Sequence, residues 1–177
     1  MVEAAHTQVA LLTADDEHDL LAFELENRQF FARGVGDRGD DYFTSFTERL
    51  RVLVDENASG TSLCFSVRDG QGRLIGRVNI GDIHTGTGDL GYRIGEDACG
   101  RGHARAAVRL ALRAAAEQGV SLITAMTTVG NVASQRILLA NGFEQLPSGT
   151  PARVEIAGRP HETVHFARSL ATTAPDA

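Results

Sequence analysis

A glycine-rich turn between an apolar strand and a long helix constrains the fold of this chain more than any other segment. Residues 89–104 have the sequence DLGYRIGEDACGRGHA, in which Gly100 and Gly102 flank Arg101 just before the helix. Such a turn leaves backbone N–H groups accessible, and the helix dipole adds positive potential at the same end. The segment therefore predicts a phosphate-binding turn. Glycines before a helix also suit an ordinary tight turn, so the downstream segments decide between the two interpretations.

The segments around this turn predict a mixed α/β fold. A helix is expected over residues 102–118 and an apolar strand over 120–127, so strand, helix and strand form a right-handed crossover with one parallel pair. Short glycine turns between the other strands predict antiparallel hairpins. These strands are expected at about 62–68, 73–83, 89–95, 143–146 with 153–157, and 161–169. The predicted architecture is a mostly antiparallel central sheet with a parallel, splayed strand pair, flanked by helices.

The first sixty residues predict one strand and two helices. A strand over residues 8–12 is followed by a helix whose apolar surface extends to Phe31. A glycine-rich break over residues 34–39 precedes a second helix, which begins at Asp40 or Asp41. The break is either a plain connector or a mobile loop that contacts substrate.

Composition limits the domain organisation and the classes of partner. The chain has 177 residues, 42% of them apolar, which fits one domain over residues 1–170 with a disordered tail at 171–177. A net charge of −6 argues against nucleic-acid binding, and no apolar run reaches the ~20 residues of a membrane span. Two cysteines, and six histidines without metal-ligand spacing, predict neither a disulfide framework nor a metal site. We therefore expect a soluble cytoplasmic protein.

Two linked motifs resemble those of the GNAT superfamily of acyl-CoA-dependent N-acyltransferases. Residues 99–104 match the family's turn, (Gln/Arg)-x-x-Gly-x-(Gly/Ala), except at the first position, which is cysteine. The second motif is Asn131-x-x-Ser134, followed by a short helix that ends in Asn-Gly-Phe. Together with the Gly-Tyr-x-Ile strand at 91–94, it is most similar to the RimJ/RimL-like branch, which acetylates the N-termini of ribosomal proteins. The resemblance is good over residues 74–170.

The resemblance implies where acetyl-CoA, or a related acyl-CoA, binds as the co-substrate. In the family, backbone groups of the strand contact the pantetheine arm, and backbone amides of the turn hold the pyrophosphate. An asparagine contacts the arm while it caps its helix. In this sequence the implied cofactor-binding residues are Tyr92, Arg93, Ile94, Arg101, Gly102, His103, Ala104, Arg105 and Asn131.

The resemblance also implies a proton donor, whereas the general base stays open. Ser134 corresponds to the serine that protonates or hydrogen-bonds the CoA sulfur in the ribosomal-protein branch; the alternative for a serine near a helix N-terminus is a plain cap. Asp82 and His84 are candidate bases because they lie at the end of a strand expected to adjoin the cleft, and histidine titrates near neutral pH. The alternatives are Glu24 or Glu26 on the first helix, or a water relay.

The expected activity is the transfer of an acetyl or related acyl group from CoA to a primary amine by direct attack. The acceptor is a peptide N-terminus or a small-molecule amine, and late strands in this family often pair across a homodimer. Two alternatives stay open: an enzyme that takes its acyl group from the phosphopantetheine arm of an acyl carrier protein, and a noncatalytic sensor of acyl-CoA. Neither nucleic acid nor a membrane is expected as a partner.

Overall fold

The strands form one mixed sheet. The computed structural model describes residues 6–147 and 152–170. Its strands are Gln8–Leu11 (β1), Leu63–Arg68 (β2), Leu74–His84 (β3), Thr87–Ile94 (β4), Leu122–Thr128 (β5), Glu144–Gln145 (β6), Arg153–Ile156 (β7) and Arg159–Ser169 (β8). Their spatial order is β1-β2-β3-β4-β5-β8-β6, and β7 pairs with β8. The pairs are antiparallel except for β4 with β5, as predicted.

Helices flank the sheet, and each of the two predicted N-terminal helices is divided in two. The helices are Glu17–Glu26 (α1), Arg28–Gly34 (α2), Asp40–Thr44 (α3), Phe46–Ser59 (α4), His103–Glu117 (α5) and Val132–Ala140 (α6). Asn27 ends α1, and its amide donates to the Phe23 carbonyl at 2.9 Å. Ser45 ends α3, and its hydroxyl donates to the Asp41 carbonyl at 2.6 Å. Such side-chain bonds to the backbone compete with helix continuation, a local effect that apolar periodicity does not register.

The parallel strand pair follows from the position of α5. This helix connects β4 to β5, and Thr87–Leu90 pair in parallel with Leu122–Ala125. On the other side of β4, His84 pairs with Thr87, so the β3–β4 turn consists of Thr85 and Gly86. Both turn residues have positive φ, 47° and 77°, as in the two-residue turns that suit the twist of a hairpin. As a result, β4 begins two residues earlier than the sequence predicted.

Separate apolar cores cover the two faces of the sheet. On one face, Val108 and Leu112 of α5 pack with buried residues of β3 such as Val78. On the opposite face, aromatic residues of α1 to α4, such as Phe23, pack with Cys64 of β2. The central strands therefore lie between helices on both sides, and consecutive residues of β4 face opposite sides of the sheet.

The buried thiol of Cys64 predicts a loss of stability at alkaline pH. Burial raises the pKa of Cys64 from 9.0 to about 11. The pKa of Cys64 is higher in the folded than in the unfolded protein. The stability contributed by the protonated, buried thiol is therefore complete below pH 9 and is lost as the pH rises through about 11. We expect the free energy of unfolding, measured with urea, to fall more steeply over this window in the wild type than in Cys64→Ala. Parallel profiles for the two proteins would contradict this assignment.

Three further sequence predictions concern a membrane span, a metal site and the C-terminal tail. In residues 6–147 and 152–170, no helix has the length and apolar character of a membrane span. Within the same ranges, no three His, Cys, Asp or Glu side chains are grouped so that they could hold a metal ion. The tail at 171–177, which was predicted to be disordered, lies outside the described residues.

Candidate active site

A cleft opens where the parallel strands β4 and β5 separate. Their pairing stops after Leu90 and Ala125, and beyond this point β4 pairs only with β3. Backbone groups of residues 91–94 that point away from β3 thus have no strand partner in the described part of the chain. The cleft has a volume of about 780 Å³ and is lined by both strands, α2, α6 and the β7–β8 hairpin. An open strand edge of this kind can hydrogen-bond an extended ligand.

Two hydroxyl groups meet inside this cleft. The Oη atom of Tyr92 on β4 lies 2.9 Å from Oγ of Ser134 on α6, and both residues line the cleft. Burial raises the pKa of Tyr92, whereas the hydrogen bond with Ser134 lowers it less. The phenol therefore stays protonated at neutral pH. Only a backbone contact was predicted for Tyr92, since the sequence does not indicate that its side chain reaches α6.

Asn131 lies at the start of α6 and lines the same cleft. Its Oδ1 accepts a hydrogen bond from the Ser134 backbone N–H at 3.1 Å, which is an N-cap contact. The cap uses the backbone of Ser134 and leaves its side-chain hydroxyl to Tyr92. Cap and hydroxyl pair are thus separate features of this helix end.

Two glycines shape the turn between β4 and α5. Gly100 and Gly102 have φ values of 74° and 84°, and a Cβ added at either would meet no atom within 4 Å. The first helical bond joins the Ala106 N–H to the Gly102 carbonyl at 3.1 Å, so the earlier amides of this turn have no intrahelical partner. Cys99 and Ala104 line the cleft, so these amides lie beside it. The turn thus offers both the space and the donors that a phosphate group requires.

The side chains of this turn take different directions. His103 is buried, and its Nδ1 lies 2.9 Å from Oγ1 of Thr7. Burial is the main cause that lowers the pKa of His103. Arg101 and Arg105 are exposed. Of the predicted phosphate-binding positions, His103 therefore offers only its backbone amide, whereas the two arginines also offer exposed guanidinium groups.

The structure does not bring Asp82 and His84 to the cleft. Both are exposed at the hairpin end of β3, where His84 pairs with Thr87, and neither lines the cleft. Thr87 precedes Tyr92 by five residues, which is about 17 Å along a strand. The expectation that these bases adjoin the cleft fails because β4 runs from that hairpin toward the cleft. Among the described residues the imidazole that lines the cleft belongs to His161, which no sequence motif indicated.

Three arginines surround one buried glutamate on the α1 face of β4. Glu24 of α1 is 1% exposed, and its Oε2 lies 3.3 Å from Nη1 of Arg93 and 3.7 Å from Nε of Arg38. Its Oε1 lies 3.6 Å from Nη1 of Arg77. The arginines line the cleft, whereas Glu24 lies behind them. The sequence did not indicate Arg38 and Arg77, because only the folded sheet and the loop after α2 bring them together.

The glycine turn, the open edge of β4 and the hydroxyl pair adjoin one cleft, an arrangement that suits an enzyme acting on an extended, phosphate-containing ligand. The chain belongs to the acetyltransferase (GNAT) domain family, whose sequence model matches residues 10–144. The protein is therefore a GNAT N-acetyltransferase.

Comparisons with individual proteins agree with this membership. The probable N-acetyltransferase YjcK of Bacillus subtilis (strain 168) is 29% identical over 154 residues, which cover 82% of this chain and 84% of that protein. The ribosomal-protein-S5-alanine acetyltransferase of Vibrio fischeri superposes with a TM-score of 0.86 at 24% identity, over 94% of each chain. The spermidine N-acetyltransferase of Vibrio cholerae, solved with CoA and spermine, gives 0.78 at 18% identity, over 93% of this chain and 95% of that one. The fold is thus shared with enzymes that act on proteins and on polyamines.

Proposed function

We propose that the cleft binds acetyl-CoA along the open edge of β4 and transfers the acetyl group to a primary amine by direct attack. The observation that carries this proposal is the pair of hydroxyls of Tyr92 and Ser134, 2.9 Å apart beside that edge. Thioester aminolysis needs a proton donor for the leaving sulfur, whereas a binding protein has no need of one. The pair therefore favours an enzyme over a sensor.

Three groups of residues would hold the donor. Backbone groups of Tyr92, Arg93 and Ile94 would bind the pantetheine arm, because they lie at the open edge of β4. The amides of residues 101–105 would bind the pyrophosphate at the start of α5, with the exposed guanidinium groups of that turn in support. Asn131 would donate its Nδ2 to the arm, since its Oδ1 already caps α6.

The chemistry then needs few side chains. As the amine nitrogen forms a bond to the thioester carbonyl carbon, the carbon–sulfur bond breaks, and N–H groups of the strand edge stabilise the carbonyl oxygen. The leaving thiolate takes the proton of the Ser134 hydroxyl, and Tyr92 holds that hydroxyl in place. The neutral amine releases one proton to a base, and that proton returns through solvent to the hydroxyl pair, so protons balance. His161 replaces Asp82 and His84 as the candidate that receives the amine proton, because it lines the cleft.

Calorimetry followed by mass spectrometry tests this function. We expect saturable binding of acetyl-CoA and of free CoA. When the protein is incubated with acetyl-CoA and a mixed panel of amines and peptides, at least one acceptor should gain the mass of an acetyl group. Binding without any acetylated acceptor would contradict the transfer reaction and favour a sensor or a carrier-protein donor. Absence of binding would contradict the assignment of the glycine turn.

A further inference from the structure

An excess of positive charge borders the cleft on the α1 face of β4. Arg77 on β3 and Arg93 on β4 are direct cross-strand partners, an arrangement that is unfavourable for like charges. Arg38 approaches them from the loop after α2, and the three guanidinium groups share the carboxylate of Glu24. Among the described residues, the ion pairs of these arginines involve no other carboxylate. One negative charge thus faces three positive ones.

Neutral partners do not remove this excess. Arg77 donates to the Tyr42 hydroxyl at 3.5 Å, and the rings of Tyr42 and Phe31 lie 4.5 Å from Arg38 and 5.0 Å from Arg93. Cation–π contacts of this kind stabilise a guanidinium but leave its charge in place. No carboxylate lines the cleft within residues 6–147 and 152–170.

Two of the three guanidinium groups are also poorly solvated, whereas the Arg38 side chain is 30% exposed. The side chains of Arg77 and Arg93 are 6% and 16% exposed. Burial is the main cause that lowers the pKa of Arg93, and the charges of Arg38 and Arg77 lower it further. Buried charge without a counter-charge is costly, and a ligand that supplies a negative charge would remove that cost. The cluster has therefore the properties of an anion-binding subsite.

The position of this subsite relates it to the proposed reaction. Tyr92 and Arg93 are adjacent in β4 and face opposite sides of the sheet. Tyr92 contacts Ser134 on the α6 side, whereas Arg93 contacts Glu24 on the α1 side. The thioester along the strand edge would lie between them. An anion on the arginines would therefore adjoin the same stretch of β4 as the attacking amine.

We propose that the acceptor is an amine that itself carries a carboxylate or a phosphate group, held by Arg38, Arg77 and Arg93. This inference rests on the proposed acetyl transfer and specifies its substrate class. A polyamine is excluded as the preferred acceptor, because its positive charges would meet the arginines. The same anionic chemistry is found in amino acids, in phosphorylated amines and in peptides with an acidic residue next to their N-terminus.

Matched acceptor pairs test the proposal and distinguish these sources. The pairs are phenylalanine and phenethylamine, O-phosphoethanolamine and ethanolamine, and peptide amides that begin Ser-Asp and Ser-Asn, with spermidine as the polycation. We expect kcat/KM to favour the anionic member of at least one pair by about tenfold or more, equivalent to ~1.4 kcal/mol. A preference for the neutral members or for spermidine would overturn the anionic subsite while the acetyltransferase activity stands.

A matched pair of arginine variants tests whether the preference for anionic acceptors comes from the arginine cluster. Arg38→Gln should reduce the preference for the anionic acceptor several-fold and leave acetyl-CoA affinity unchanged. Arg33→Gln is the control, because Arg33 also lines the cleft and is exposed like Arg38, but it pairs with Glu96 outside the cluster. Arg33→Gln should keep the preference. Equal effects of the two variants would overturn the assignment to the cluster.

A binding measurement separates failure of this inference from failure of the proposed function. N-acetylphenylalanine and N-acetylphenethylamine are titrated into protein saturated with CoA, so that the phosphate-binding turn is already occupied. Tighter binding of the carboxylate product, lost in Arg38→Gln, supports the subsite even if no acceptor in the panel is acetylated. Equal or no binding of the two products overturns the subsite. Failure to bind acetyl-CoA at all overturns the proposed function instead.

Discussion

Glutamate in place of Gly102 is expected to weaken acetyl-CoA binding at least about a hundredfold, equivalent to ~2.8 kcal/mol. Gly102 is the N-cap residue of α5, and its missing Cβ would point into open space beside the free amides of the first turn. A carboxylate there can accept from the same N–H groups that a phosphate would use. It would also repel the phosphates of CoA at close range, where Coulomb interactions are strongest. Calorimetric titration measures the loss directly.

Gly102→Gln is the matched control for this experiment. Gly102 has a φ of 84°, so any side chain strains the backbone, and glutamine introduces that strain without a charge. We expect Gly102→Gln to bind acetyl-CoA more tightly than Gly102→Glu, with a difference that shrinks as ionic strength rises. Thermal denaturation of both variants shows whether the fold survives. Unchanged affinity in Gly102→Glu would contradict the phosphate site, and equal losses in the two variants would show that shape, not charge, excludes the ligand.

The predictions that hold from sequence are those that depend on local chemistry. Glycines at 100 and 102 mark a turn in any context, and both adopt the positive φ that only glycine tolerates easily. The apolar pattern of α5 and the strand after it required a parallel pair, and the structure contains one between β4 and β5. Asn131 caps α6 as its position predicted.

What could not be predicted depends on the register and twist of the sheet. Arg77 and Arg93 are sixteen positions apart, and only their cross-strand pairing brings them to Glu24. The same reason explains the failure for Asp82 and His84. These two residues are close in sequence to the strand that lines the cleft, which suggested that they are also close to it in space. In an antiparallel hairpin, however, the turn lies at one end of the strands, and the cleft is at the other end.

Removal of the Ser134 hydroxyl is expected to reduce kcat about a hundredfold with little change in acetyl-CoA affinity. General acid catalysis typically contributes 10²–10⁴-fold, and the donor acts only when the sulfur leaves. In Ser134→Ala the backbone N–H that Asn131 caps is retained, so α6 should keep its start and the protein its stability. Steady-state acetylation assays give kcat, and calorimetry gives the acetyl-CoA affinity. Equal turnover in wild type and variant would reduce Ser134 to a structural residue of the helix end.

Tyr92→Phe and the double variant show whether the two hydroxyls act as one unit. The single bond of 2.9 Å between them predicts that Tyr92→Phe also lowers kcat, and that the double variant is no slower than Ser134→Ala alone. Additive losses would instead indicate independent roles. Because burial raises the pKa of Tyr92 above its ordinary value of 10.0, the phenol should remain a donor up to that pH. We therefore expect that ionisation of Tyr92 causes no loss of kcat below pH 10. A decline of kcat below pH 10 that is absent in Tyr92→Phe would contradict the burial of the phenol.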